Sequence, residues 1–256
     1  MNDDIAACAG LVERGDADRF LAVMSAPVSI REKLFPLLAF NVEVARAPWV
    51  TQESMIAEMR LQWWRDALEE IAEGRQPRRH EVVTPLAALL SPAQAQMLDE
   101  SVAARRWDIY KDPFEDEADF KRYIDQTAGH LLVVATALVG GADETALRQM
   151  AYADGLARWF LAIPKLEEMQ RIPLVDGRAA RLAEMAAEAQ RGLMQARKTL
   201  RSAGPDVAAV LRLTWQAAPL LAQVQKQPDR VAQNALGQSD FSKKFSLLWR
   251  SLQSSF

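Results

Sequence analysis

The chain carries one cysteine, Cys8, and two histidines, His80 and His130, in 256 residues. A single cysteine excludes an internal disulfide and any multi-cysteine zinc site. Cys8 itself reads as a small apolar filler. Two histidines exclude a histidine-built metal cluster. His80 sits in the polar turn Arg78-Arg79-His80 and reads as solvated, whereas His130 lies on an apolar helix and reads as a satisfied core or cavity residue. Glycine-rich phosphate loops and the Gly-x-Ser-x-Gly elbow are missing. An excess of positive charge is missing too. The 31 Lys+Arg against 34 Asp+Glu leave a net charge of −3, so no nucleic-acid partner is expected. Long hydrophobic runs are also absent. The longest uncharged stretches, 82–98 and 126–142, have 17 residues each, short of the roughly 20 that a membrane span needs. The acidic start, with Asp3 and Asp4, is unlike a basic-then-apolar export signal. These readings give a cytoplasmic protein, or one peripheral at the inner face of a membrane.

What is present is helical periodicity. Met55, Met59, Trp63, Ala67 and Ile71 recur every four residues, widened by Ile56, Trp64 and Leu68, and predict one broad buried face. Thr51 is the expected cap of that helix, and Gly74 followed by Pro77 its stop. Further helices are expected near 3–13, 16–26, 30–47, 82–90, 92–110, 118–139, 144–163, 179–202 and 207–225, with short pieces at 230–236 and 241–252. No strand of useful length, internal repeat or linker interrupts them. The fold class is therefore all-α, a single domain over residues 1–256. Small residues Ala128, Gly129, Ala135 and Ala137 among large apolar ones allow either close helix packing or room for a ligand.

Two acidic runs invite a metal reading. Asp66, Glu69 and Glu70 share a helix face, as a magnesium–diphosphate site would need. The plainer reading is a solvated face with Arg65 paired to Glu69. Asp112, Glu115, Asp116, Glu117 and Asp119 precede a helix and suit its dipole.

The C-terminal segment 239–256 contains a possible separate amphipathic helix. Phe241, Phe245, Leu248 and Leu252, with Trp249 beside them, form one stripe, and Lys243, Lys244 and Arg250 supply charge. The expectation is a final helix packing its aromatic face onto the bundle. The competing reading is a peripheral membrane or partner contact through 241–252.

Several stretches together resemble the squalene/phytoene synthase family. They are Asp18-Arg19-Phe20, then Ile30 through Pro36 to Phe40-Asn41, then Gln62-Trp63-Trp64-Arg65-Asp66 with Gly74 and Arg79-His80-Glu81. Tyr123 through Ala128-Gly129 to Gly140, and Gly155-Leu156-Ala157, follow in the family's order. The resemblance covers roughly residues 16–175. It implies a prenyl (terpenoid) synthase-like bundle around an apolar central cavity. It also implies two facing aspartate-rich motifs that hold magnesium and two prenyl diphosphates.

Those motifs are replaced. The first position reads Val44-Ala45-Arg46-Ala47-Pro48-Trp49, with Glu43 the nearby acid, and the second reads Ile163-Pro164-Lys165-Leu166-Glu167-Glu168-Met169. Magnesium needs several oxygen ligands to stabilise a departing diphosphate, and these substitutions remove ligands and add positive charge. The resemblance thus points to the family's non-catalytic branch, associated with assembly of mitochondrial respiratory complex I. It implies a cavity mouth at Glu43, Arg46, Lys165 and Glu168, with Arg46 and Lys165 facing each other, each beside an acid or an anion. It implies a lining of Phe40, Gly129, Leu132, Val133 and Leu161. No catalytic or metal residues and no cofactor are expected. The expected function is a non-catalytic assembly or lipid-binding protein linked to membrane or respiratory-complex biogenesis, with a prenyl or other lipid ligand or a protein partner. The alternative is an active prenyltransferase condensing two prenyl diphosphates with magnesium.

Overall fold

The structure, a computed structural model, describes residues 3–252 and 256, with the side chain of Leu252 outside the description. All secondary structure among the described residues is helical. In chain order the helices are α1 (Asp3–Gly15), α2 (Ala17–Met24), α3 (Val28–Arg46), α4 (Ser54–Ala72), α5 (Val83–Ala87) and α6 (Pro92–Ala104). They continue with α7 (Glu117–Ile124), α8 (His130–Ala137), α9 (Glu144–Glu168), α10 (Ala179–Thr199), α11 (Pro205–Leu211), α12 (Ala217–Lys226) and α13 (Asp240–Leu252).

Side chains define many of the starts. Asp16 accepts from the Arg19 amide at 3.0 Å and opens α2. Ser91 and Gln94 form a reciprocal capping box at α6, and Asp116 and Asp143 cap α7 and α9. Gly74, at φ +68°, ends α4 in the left-handed region that glycine adopts without strain. Thr51 does not cap α4. Its hydroxyl accepts from the Glu53 amide, and the helix begins at Ser54.

The buried face of α4 also departs from the expected stripe. Ala57, Leu61, Trp64, Ala67, Leu68 and Ile71 are buried, while Met55 and Met59 are 74% and 66% exposed. The expected face is buried in the second half of α4, at Trp64, Ala67, Leu68 and Ile71, whereas in the first turns Met55, Ile56 and Met59 face solvent and Ala57 and Leu61 meet the core instead. Arg65 pairs across to Asp99 of α6 at 2.8 Å rather than with Glu69, and Glu70 is held by Arg78. Glu69 and Glu70 are thus ion-paired, with Arg75 and Arg78, and Asp66 accepts from the Gln62 side-chain amide at 2.7 Å.

α9 is the central helix, packed on α10, α12 and the α7–α8 segment. It was expected to stop at Ile163 but runs through Pro164 to Glu168, because Ile163 and Leu166 on either side are buried. The expected helix 118–139 is likewise interrupted. Residues Asp125–Gly129 form a π-turn between α7 and α8. The Ser101 hydroxyl donates to the Gln126 carbonyl at 2.6 Å and satisfies one carbonyl of that turn. The helical run Pro205–Lys226 is long and apolar enough to cross a membrane, but 78% of its window is buried in the bundle, where it serves as core.

At the C-terminus the aromatic stripe does not pack inward. Phe241, Phe245, Leu248 and Trp249 are 79%, 57%, 58% and 55% exposed, and among the described side chains of α13 Leu247 is the buried one. Polar ties hold the helix instead, chiefly Lys243 to Asp18 at 3.0 Å.

Candidate functional site

A cavity of about 520 Å³ opens between α3, α7, the π-turn and α9. One face of α9 lines it continuously: Gly155, Arg158, Trp159, Ala162, Lys165, Leu166 and Met169 recur at three- and four-residue steps. Asn41 and Ala45, one turn apart on α3, face them with Trp49. Ile124, Thr127 and Ala128 come from the π-turn and the residue before it. Gly155 allows this approach. A Cβ there would lie 2.7 Å from Ile124 Cγ2 and 2.9 Å from Ala128 Cβ.

The expected residues divide. Lys165 lines the cavity, and Glu168 pairs with it at 2.8 Å on the exposed side. Glu43 and Arg46 belong elsewhere. They pair with each other at 3.5 Å beside a separate groove of about 230 Å³ with Trp63, Trp64 and His80. Each cation thus has an acid partner, but the two do not share one mouth. The reason is helical phase, since Asn41 and Ala45 occupy the cavity-facing side of α3 and positions 43 and 46 point toward α4. His80 is not freely solvated, because its ring lies 5.1 Å from that of Trp63 and accepts from the Val82 amide.

None of the five expected lining residues borders the 520 Å³ cavity. Phe40 is buried edge-on against Trp64 at 5.4 Å. Leu132 borders a void of about 10 Å³ near Asp154. Val133 packs on the core, Gly129 is buried against Asp125, and Leu161 is on the exposed side of α9. The π-turn accounts for Gly129, Leu132 and Val133, because an i→i+5 turn carries the cavity-facing side chains before residue 129 rather than after it.

Sequence reasoning missed a buried ion network behind the cavity wall. Arg19 donates to Asp154 at 3.1 Å, and Arg158 donates to Asp154 at 2.9 Å and to Asp16 at 3.1 Å. Burial works to raise the Asp16 carboxyl, but Arg158 and Arg19 outweigh it and hold the carboxyl below its ordinary value. Nη2 of Arg158 is buried without a hydrogen-bond partner. A second network joins Arg105, Asp108 and Tyr123. The Tyr123 hydroxyl donates to Asp108 at 2.9 Å, and burial raises the Asp108 carboxyl against the pull of Arg105. The available signal was the i, i+4 pair Asp154 and Arg158 on an otherwise apolar helix.

The cavity wall therefore carries four cations, Arg19, Arg105, Arg158 and Lys165, and one carboxylate, Asp108. This donor set does not suit magnesium. Its carboxylate is already engaged by Arg105 and Tyr123, and the remaining charged groups repel a dication. Among the described residues no group of three or more His, Cys, Asp or Glu side chains converges on a metal-sized space.

Residues 12–162 match the squalene/phytoene synthase family profile. The chain belongs to the squalene/phytoene synthase family. Its fold is that of a dehydrosqualene synthase solved in complex with ligand, at TM-score 0.76 and 15% identity, with 98% of this chain and 95% of that one covered. The squalene synthase HpnC from Alicyclobacillus acidocaldarius gives a TM-score of 0.73 at 15% identity, covering 88% of this chain and 94% of that one. Among curated proteins the chain is similar to the NADH dehydrogenase (ubiquinone) complex I, assembly factor 6 homolog of Drosophila melanogaster. That match is 29% identical over 177 residues, 66% of this chain and 53% of the relative. The Homo sapiens complex I assembly factor 6 is 25% identical over 166 residues, 61% of this chain and 48% of the relative. The chain thus matches about half the length of these curated relatives.

Proposed function

We propose that this family member is a non-catalytic lipid-binding assembly protein, serving membrane or respiratory-complex biogenesis as the names of its curated relatives suggest. The observation that carries the reading is an apolar cavity walled by four cations and one engaged carboxylate. Trp49, Ile124, Trp159, Ala162, Leu166 and Met169 offer a surface for a prenyl or similar chain. Arg158, with an unengaged buried N–H group, and Lys165 offer direct charge-assisted contacts to an anionic head. In a synthase magnesium stabilises the departing diphosphate. Here fixed cations take the head without a metal and without the ligands that ionisation requires, so binding is uncoupled from turnover. The protein works with no cofactor, and 241–252 supplies a peripheral contact with a membrane.

The test is a pair of measurements on the purified full chain. Farnesyl diphosphate should bind equally well with magnesium and with EDTA, and Lys165→Gln should weaken binding roughly 10–100-fold. Farnesyl or geranylgeranyl diphosphate with magnesium and NADPH should yield no C30 or C40 hydrocarbon and no cyclopropyl diphosphate intermediate. Product at ordinary enzymatic turnover would overturn the non-catalytic reading in favour of an active prenyltransferase. Absence of binding would overturn the lipid-binding reading.

A further inference from the structure

The turn after α4 holds one imidazole in a fixed place. The His80 amide donates to the Thr84 hydroxyl at 3.1 Å, and the Thr84 amide donates to the His80 carbonyl at 2.9 Å. The Val82 amide donates to Nδ1 of the ring at 3.1 Å, so the proton of the neutral imidazole sits on Nε2. The ring centres of Trp63 and Trp64 lie 5.1 and 5.6 Å away. Arg78 lies 5.1 Å from the Trp63 ring centre, but Glu70 accepts from its Nε at 3.1 Å and balances its charge. The Nε2–H of His80 has no protein partner among the described residues.

This imidazole borders the groove of about 230 Å³ on the α4 side of α3. Arg46 and Val50 line it from the end of α3 and the turn that follows, and Arg60 and Trp63 line it from α4. Arg60 is exposed, and among the described residues its guanidinium has no ion pair or hydrogen bond. Arg46 reaches Glu43 at 3.5 Å, a long contact, and its side chain is 62% exposed. Two cations against one acid give the groove a surplus of positive charge in a chain of net charge −3. Asn41 and Ala45 face the other way, into the central cavity, so the groove is a separate site.

The donors select the occupant. Two guanidinium groups and one imidazole N–H enter the groove from three parts of the chain. A carboxylate offers two oxygens in one plane. A phosphate monoester offers three terminal oxygens in three directions, with a charge of about −1.5 to −2 at neutral pH. Guanidinium groups bind such oxygens through charge-assisted pairs. The groove is smaller than the roughly 300–1,000 Å³ that enclose a drug-sized molecule, so it takes a head group and leaves the rest of the ester outside, over the exposed Val50. We infer that Arg46, Arg60 and His80 form a binding site for the phosphate group of a phosphate monoester, which displaces Glu43 from Arg46.

The chain has two histidines, so ring signals in NMR locate the anion. Titrating inorganic phosphate into the full chain at constant pH should shift the His80 ring signals saturably and leave those of His130 in place. Arg60→Gln should weaken this binding roughly 10-fold or more, with the thermal midpoint unchanged because Arg60 is exposed and unpaired. Glu43→Gln should strengthen it, since the competing acid is gone. A stationary His80 signal, or equal affinity in wild type and Arg60→Gln, would overturn the site. Weaker binding in Glu43→Gln would overturn the displacement. Glycerol 3-phosphate and dihexanoyl phosphatidic acid below its micellar concentration separate the sources. Tighter binding of the lipid assigns the site to a headgroup, equal binding assigns it to a soluble ester, and both results support it. Dihexanoyl phosphatidylglycerol, a diester, should bind more weakly than phosphatidic acid, and equal binding would overturn the monoester assignment.

Discussion

Arg19 and Asp154, 135 residues apart in sequence, meet in a buried ion pair at 3.1 Å. The pair fastens α2 to the central helix directly behind the cavity wall, and Arg158 shares the same carboxylate oxygen at 2.9 Å. Two guanidinium groups thus depend on Asp154, with Asp16 the other acid of the cluster. Removing one member of a buried ionic group leaves uncompensated charge, which typically costs about 3–5 kcal/mol. Asp154→Asn is expected to destabilise the fold by that order in urea unfolding at neutral pH. A change below about 1 kcal/mol would mean that water already satisfies the two arginines.

Gly155 sits where α9 passes closest to the π-turn. A methyl group there would overlap Ile124 and Ala128, neither of which is the end of a long flexible chain. Overpacking of this kind typically costs about 1–3 kcal/mol. Gly155→Ala should therefore lower stability by that amount and also shrink the cavity that Ile124, Ala128 and Gly155 border. Differential scanning calorimetry, with and without farnesyl diphosphate, checks both effects. Wild-type stability together with wild-type ligand shift would show that the two segments can separate freely.

Much of the fold was legible because helix formation here is local. Asp16, Ser91, Asp116 and Asp143 open helices, and Gly74 closes one, by interactions within a few residues. The acid beside each of Arg46 and Lys165, Glu43 and Glu168, was equally plain in the sequence. The wall of the cavity was not. Phe40 and Asn41 are adjacent, yet one meets Trp64 and the other the cavity, and that choice depends on helix phase against distant partners. The π-turn at Asp125–Gly129 shifts the facing residues without leaving a mark in hydrophobic periodicity. The outward turn of Phe245 and Trp249 is settled by Lys243 reaching Asp18, a pairing 225 residues apart.

His130 gives the fold a defined pH response. Its Nδ1–H donates to the Met97 carbonyl at 2.9 Å, and burial holds its pKa below 6.5. Glu100 and Asp125 act against that shift and Arg148 acts with it. The neutral ring is the folded form, so the unfolded chain takes up a proton first on acidification. The contribution of His130 is present above pH 6.5 and is lost as pH falls through the folded-state pKa. His130→Gln, whose amide can still donate to Met97, should flatten the pH dependence of unfolding free energy between pH 7 and 5. An unchanged slope in urea titrations would assign that dependence to other groups.

Arg171 gathers the carbonyls at the end of the short 3-10 helix Arg105–Asp108 and of the two residues after it, beside the cavity. It donates to the backbone oxygens of Trp107 at 3.2 Å, Asp108 at 2.6 Å, Ile109 at 3.3 Å and also Tyr110. Its guanidinium lies 4.8 Å from the Trp49 ring centre and 5.5 Å from that of Trp107. The planar fork reaches several oxygens at once while stacking on aromatic faces, which an ammonium group does not reproduce. Hydrogen bonds from a charged donor are worth about 1.5–3 kcal/mol each, and the cation–π contacts add about 0.5–2 kcal/mol. Arg171→Lys should therefore cost at least about 2 kcal/mol in chemical unfolding, and Arg171→Met more. Trp49 and Asp108 both line the cavity, so loosening this turn should also weaken farnesyl diphosphate binding, in EDTA as in magnesium. A lysine variant with wild-type stability and wild-type binding would show that the turn holds its shape without the fork.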